Sequence, residues 1–125
     1  KRTVRYMPRG QHIGDDPYNR WVKPSCMLIC EDNYSNAHGT PWLYRELGIG
    51  RLVGAPVPGT MTAVWWETVG DYVFGIPQVS SMDNRGHLLE NQQLEPDIEC
   101  YLSPADLLGG KDTQIEQAVR LLLGR

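Results

Sequence analysis

Apolar positions in this chain fall into short runs set between stretches rich in Gly, Pro, Asn and Asp. Thr3–Met7 reads as a short strand. From Pro8 to Pro24 the pattern is loop-like, with Tyr18, Trp21 and Val22 as its anchors. Ser25–Cys30 is a continuous apolar run bounded by Pro24 and by Glu31-Asp32-Asn33, the pattern of a strand buried on both faces. A helix is predicted from about Ala37 to Leu47. Its apolar residues Ala37, Trp42, Leu43 and Leu47 fall roughly on one face, Pro41 is tolerable only in the first turn, and Gly48 stops it. Arg51–Gly54 is a second short strand, so strand, helix and strand are complete between residues 25 and 54. That is the size of a crossover unit in a parallel sheet.

The middle of the chain changes to β-type patterning. Met61–Thr68 and Asp71–Ile76 flank Val69-Gly70, a hairpin with a tight turn. Trp65 and Trp66 read as core and sheet-face residues rather than substrate platforms. Ser81–Gly86 is a polar turn, and Pro96–Leu102 holds a last strand around Ile98 and Cys100. Ser103-Pro104 opens a single helical turn, with Ser as cap and Pro at the first position. Asp112 caps a final helix in which Ile115, Ala118, Val119 and Leu122 follow the helical period before Gly124 ends it. The class is α/β, one domain over residues 1–125.

Composition narrows the function classes. A formal charge of −3 supplies no basic field for nucleic acid or an anionic membrane. No apolar run approaches the ~20 residues of a membrane helix. The three cysteines, Cys26, Cys30 and Cys100, lack metal-ligand spacing, and Cys26 and Cys30 read as buried free thiols. The chain opens in the strand-like run Lys1-Arg2-Thr3-Val4-Arg5-Tyr6, with no initiator Met, and closes on a well-signalled helix. That asymmetry is expected of a C-terminal fragment of something longer.

The candidate chemistry starts at Ser35, where the Ser25–Cys30 strand hands over to the helix. A helix N-terminus offers free N–H groups and the positive end of a dipole, and a sharp turn lifts a side chain clear of the packed layer. Such a hydroxyl is placed to attack a carbonyl. Serine is equally a favoured N-cap, so pattern alone leaves both readings open.

The residues around Ser35 resemble a known family. Cys26-Met27-Leu28-Ile29-Cys30-Glu31-Asp32-Asn33-Tyr34-Ser35-Asn36-Ala37-His38, followed by Leu47-Gly48-Ile49-Gly50-Arg51-Leu52-Val53-Gly54, looks like the nucleophile segment of the tail-specific (C-terminal processing) serine peptidases. Within these it is most similar to the tricorn-like branch. The block Leu89-Glu90-Asn91-Gln92-Gln93-Leu94-Glu95-Pro96-Asp97-Ile98-Glu99 resembles the family's Glu-Asn…Pro-Asp segment, and Gly110–Val119 resembles its tail.

The resemblance implies a ClpP/crotonase-like fold of layered β-β-α units, of which this chain holds the C-terminal portion. It implies Ser35 as nucleophile, the Asn36 N–H in the oxyanion hole and Glu90 as the acid that supports an imidazole. No metal or organic cofactor is implied. The lysine base of the Ser-Lys branch would fall at Gly59-Thr60, and Thr60 cannot serve as one. That departure favours the branch whose base is a histidine far upstream of the serine, beyond this chain.

Of the histidines present, His38 shares the serine's helix face yet projects along the helix, and it reads most simply as a surface residue. His87 precedes the Glu90 segment and His12 lies in a loop. His38, Gly59 and Thr60 are the candidate substrate contacts. The expected function is a serine peptidase acting on peptides, inactive as the isolated chain until the upstream half of its core is joined. The alternative is a non-catalytic α/β module that keeps the scaffold for peptide or protein binding. Strands Ser25–Cys30 and Arg51–Gly54, deprived of neighbours, would also drive self-association.

Overall fold

The computed structural model describes residues 5–6 and 23–124. The loop anchors Tyr18, Trp21 and Val22, and His12, lie outside the described residues. In chain order the elements are β1 (Arg5–Tyr6), β2 (Cys26–Ile29), α1 (Asn36–Glu46), β3 (Arg51–Gly54), β4 (Ala63–Val69), β5 (Tyr72–Val79), β6 (Ser81–Met82), β7 (Ile98–Glu99), α2 (Pro104–Leu108) and α3 (Thr113–Leu123). This is the expected α/β class.

The organising unit is a parallel three-stranded sheet in the order β2-β3-β7. β2 and β3 pair from Cys26↔Arg51 to Ile29↔Gly54, and α1 is the crossover between them. Both α1 and α3 pack against β2 and β3. The core beneath them is Ile29, Leu52, Val57 and Leu94, with Met27, Trp42 and Tyr44 laid against it.

Gly54 has φ 138°, and a Cβ there would collide with the Ile29 carbonyl oxygen. Only glycine permits this backbone and this approach together. Asp97 fixes the other side of β3. Its Oδ2 accepts from the Leu52 N–H at 2.7 Å and its own N–H donates to the Leu52 carbonyl at 2.9 Å.

Capping follows the chemistry of the residues. Ser103 accepts from the Asp106 N–H at the start of α2, and Asp112 does the same from Ile115 for α3, which Gly124 ends in a left-handed conformation.

Several expectations need correction. β2 is not buried on both faces: Leu28 is 41% exposed and only Ile29 of the strand is fully buried. β3 is flanked on both sides, so it lends no free edge to self-association. The cysteines are free but only half-buried. In α1 the buried residues are His38, Gly39 and Pro41, not Ala37 and Leu47. The helix turns that side inward because Gly39 admits Met61: a Cβ there would lie 2.6 Å from the Met61 Cε.

The hairpin turn is Gly70-Asp71, one residue later than expected, since Val69 pairs with Tyr72 and Gly70 takes φ 61°. Trp65 and Trp66 are 61% and 68% exposed. β4 and β5 pair only with each other among the described strands and pack no face against the core. Residues 81–82, expected in a turn, form β6 against β1, with Ser81 buried.

Candidate active site

The passage from β2 into α1 is stapled by one side chain. Asn33 Oδ1 accepts from the Cys30 N–H at 3.0 Å and the Cys30 thiol at 3.2 Å, while its Nδ2 donates to the Ala37 carbonyl at 2.7 Å. The Asn33 N–H closes back on the Cys30 carbonyl at 3.1 Å. The end of the strand and the first turn of the helix are thereby held by the same amide.

Ser35 stands within this staple at φ 55° and ψ −114°. A non-glycine residue there costs about 1–3 kcal/mol and persists only where the surroundings over-determine it. Asn33 supplies part of that determination. Ser35 occupies the N-cap position, yet its side chain makes no capping hydrogen bond. Its carbonyl, in contrast, accepts from His38 and Gly39 at 2.8 and 3.1 Å. Its Oγ is therefore uncommitted among the described residues. So is the Asn36 N–H, the first free donor of the helix. A strained serine at a strand-to-helix turn with a free N–H beside it is the arrangement of a nucleophile elbow.

Glu90 is half-buried in the loop before β7. Its Oε2 accepts from the Met61 N–H at 2.7 Å, the Thr62 N–H at 2.6 Å and the Thr62 hydroxyl at 2.7 Å. Oε1 has no partner among the described residues. Burial pushes the carboxyl's pKa upward. The bonds from the Thr62 hydroxyl, the Met61 N–H and the Thr62 N–H, with His38 nearby, outweigh it and leave the value below that of an ordinary glutamate.

His38 is not on the surface; it is 1% exposed. Burial lowers its pKa, opposed by a hydrogen bond with the Thr60 backbone and by the charge of Glu90. Its Nδ1 is buried without a hydrogen-bond partner among the described residues. Gly59 and Thr60 lie in the same segment. The Gly59 carbonyl accepts from the Asn91 N–H at 2.6 Å, and a Cβ on Gly59 would come within 2.5 Å of the Gln92 nitrogen. Gly59 thus lets the chain pass against the backbone that follows Glu90. Asn91 takes φ 58° there, which its short polar side chain tolerates.

His38 follows Ser35 on the same helical turn and is buried within reach of the charge of Glu90, whose carboxylate holds the Met61–Thr62 backbone. His87 is apart from this group, exposed and hydrogen-bonded to Asp83 at 2.9 Å. Asn33 and Thr62 were missed as site residues. The polar Asn33, two residues before the serine, was the available signal for the first, and nothing local marked the second.

An open groove of about 700 Å³ runs between Trp42 and Arg45 of α1 and the Gly86–Leu94 loop, but Ser35, His38 and Glu90 do not line it. Among the described residues no helix is long and apolar enough to cross a membrane.

Known proteins share the fold described above. Tricorn protease of Thermoplasma acidophilum is 26% identical over 102 residues, covering 78% of this chain and 10% of that protein. The crystal structure of mature CPAF superposes with a TM-score of 0.72 at 20% identity, over 89% of this chain and 21% of that one. A crystal structure of the tricorn protease gives 0.69 at 24%, over 91% and 12%. Likeness at these identities shows a shared fold. The chain spans between 10% and 18% of the length of the curated relatives it matches. The sequence profile of peptidase family S41 matches residues 1–100, four fifths of the chain. A chain so matched, with a tricorn-like fold, belongs to peptidase family S41.

Proposed function

We propose that this chain carries the nucleophile and the supporting acid of a serine peptidase, as the C-terminal part of its catalytic core. Ser35 Oγ attacks the carbonyl carbon of a peptide bond. Its proton passes to a histidine base from an upstream segment of the parent protein, which then delivers it to the departing amine. The acyl-enzyme on Ser35 is hydrolysed by water along the same path in reverse. The Asn36 N–H donates to the oxyanion, and the free Oε1 of Glu90 supports the imidazole while Oε2 holds the Met61–Thr62 backbone. Thr60 borders this space, and the reaction calls on no metal or organic cofactor.

The observation that carries the reading is Ser35 itself: strained, at a helix start, with a hydroxyl that does not cap the helix. A serine-directed phosphonate tests it. The full-length parent is expected to label at Ser35 and the Ser35→Ala variant not at all, while the isolated chain labels weakly for want of the base. A folded parent that stays unlabelled would favour the second reading, a non-catalytic peptide-binding or interaction module. The three bonds already committed at Glu90 Oε2 would then be its whole purpose.

A further inference from the structure

The staple at Asn33 has a counterpart further along the helix. Pro41 lies inside α1, not at its first position, and is buried. An α-helical carbonyl accepts from the N–H four residues on, so the Ala37 carbonyl would be met by residue 41. Proline has no N–H to offer, and its ring presses on that same carbonyl. The Ala37 carbonyl is thereby left without its helical donor. The donor it has instead is Asn33 Nδ2, at 2.7 Å.

The chemistry of the side chain matches this need. Asn33 Oδ1 already accepts from the Cys30 N–H at 3.0 Å and the Cys30 thiol at 3.2 Å. A carbonyl on the helix side requires a donor from the same group, and an amide carries both functions at once. Aspartate at neutral pH would turn a second acceptor oxygen toward the Ala37 carbonyl.

What this bridge encloses is the serine turn. Asn33 and Ala37 stand two residues to either side of Ser35, and the Ala37 N–H closes the turn from within on the Tyr34 carbonyl at 2.9 Å. Ser35 holds φ 55° inside it, a conformation a non-glycine residue keeps only under constraint. Were residue 41 able to donate, the Ala37 carbonyl would belong to the helix and the amide would have nothing to grip.

We infer that Asn33 is a positioning residue whose grip depends on Pro41: the proline frees the Ala37 carbonyl, and the Asn33 amide takes it, fixing the Ser35 hydroxyl and the Asn36 N–H relative to the end of β2. The inference rests on the reading of Ser35 as nucleophile. A turn released from this grip shifts by a fraction of an ångström to an ångström, a displacement that costs up to about a hundredfold in rate.

The test is a double-mutant cycle in the full-length parent, with Asn33→Asp, Pro41→Ala and the two together, each checked for folding by its thermal melt. Asn33→Asp keeps the acceptor for Cys30 and loses the donor for Ala37. Its rate of acylation by an activated ester should fall about 10- to 100-fold with KM little changed. Pro41→Ala restores an N–H that competes for the Ala37 carbonyl, so it too should acylate more slowly. In that background Asn33→Asp should cost less than about threefold, because the bond it removes is already lost. Asn33→Ser, one bond shorter and uncharged, takes the place of Asn33→Asp if the carboxylate prevents folding.

An Asn33→Asp variant that acylates like wild type overturns the inference and leaves the peptidase reading standing. So does a loss by the same factor in both backgrounds, the mark of two unconnected structural roles. Should wild type itself not acylate, the peptidase reading fails, and hydrogen exchange decides the grip. Faster exchange in Asn33→Asp of the His38 and Gly39 N–H groups, which close on the Ser35 carbonyl, supports it, and unchanged exchange overturns it.

Discussion

Glu90 holds Thr62 by both of its donors, the backbone N–H at 2.6 Å and the hydroxyl at 2.7 Å, on one carboxylate oxygen. An acid expected for its support of an imidazole is thus also a fastener between two loops. Glu90→Ala should leave the Met61 and Thr62 N–H groups without their acceptor and lower stability by about 1–3 kcal/mol. Glu90→Gln keeps an acceptor oxygen and should lose less. Chemical denaturation of the two variants beside wild type measures the difference.

The same bonds set an acid dependence. Glu90 has a folded-state pKa below its ordinary 4.5, so its stabilising contribution is complete above about pH 4.5 and is lost as pH falls through the folded value. The unfolding midpoint of wild type should therefore drop across that acid window more steeply than that of Glu90→Gln. Parallel profiles would show that the carboxylate is not the sensitive group.

Ser35 offers a test that separates strain from chemistry. Glycine accepts φ 55° and ψ −114° freely, so Ser35→Gly should relieve part of about 1–3 kcal/mol of strain while abolishing phosphonate labelling. Ser35→Ala should abolish labelling with no such gain. Thermal melts and intact-mass spectra read the two effects independently.

The β4–β5 hairpin is the exposed apolar element. Two-stranded ribbons are marginal in water, and both faces of this one carry large apolar side chains. The isolated chain should self-associate with rising concentration in light scattering. Trp65→Thr should weaken that association while changing monomer stability by less than about 0.5 kcal/mol. A monomer at all concentrations would mean that the hairpin is self-sufficient.

Local chemistry was the legible part of the fold. Asp112, Ser103 and Gly124 each end or begin a helix as their side chains or backbone dictate, and β3 falls at its expected bounds. Long-range partnership was not legible. Nothing in the neighbourhood of His38 says that Met61 will pack over the next residue, Gly39, and that the ring will be buried, so a polar residue near a helix start reads as solvated. Trp65 and Trp66 read as core by residue type, but burial depends on a second surface, and no described element meets them. At the candidate site, the blocks around Ser35 and Glu90 single those two residues out, while the staple of Asn33 and the Thr62 donors depend on distances no linear pattern encodes.

Gly54 and the residues beside it tie two distant stretches to one rail. The Ala55 N–H reaches the Ile29 carbonyl at the end of β2, the Cys100 N–H reaches Gly54, and Val57 exchanges bonds with Leu94 four residues past Glu90. The serine turn and the acid loop are suspended from the same short span. An inserted residue between Gly54 and Val57 would throw these attachments out of step, and reactivity would vanish though every reactive atom were still present.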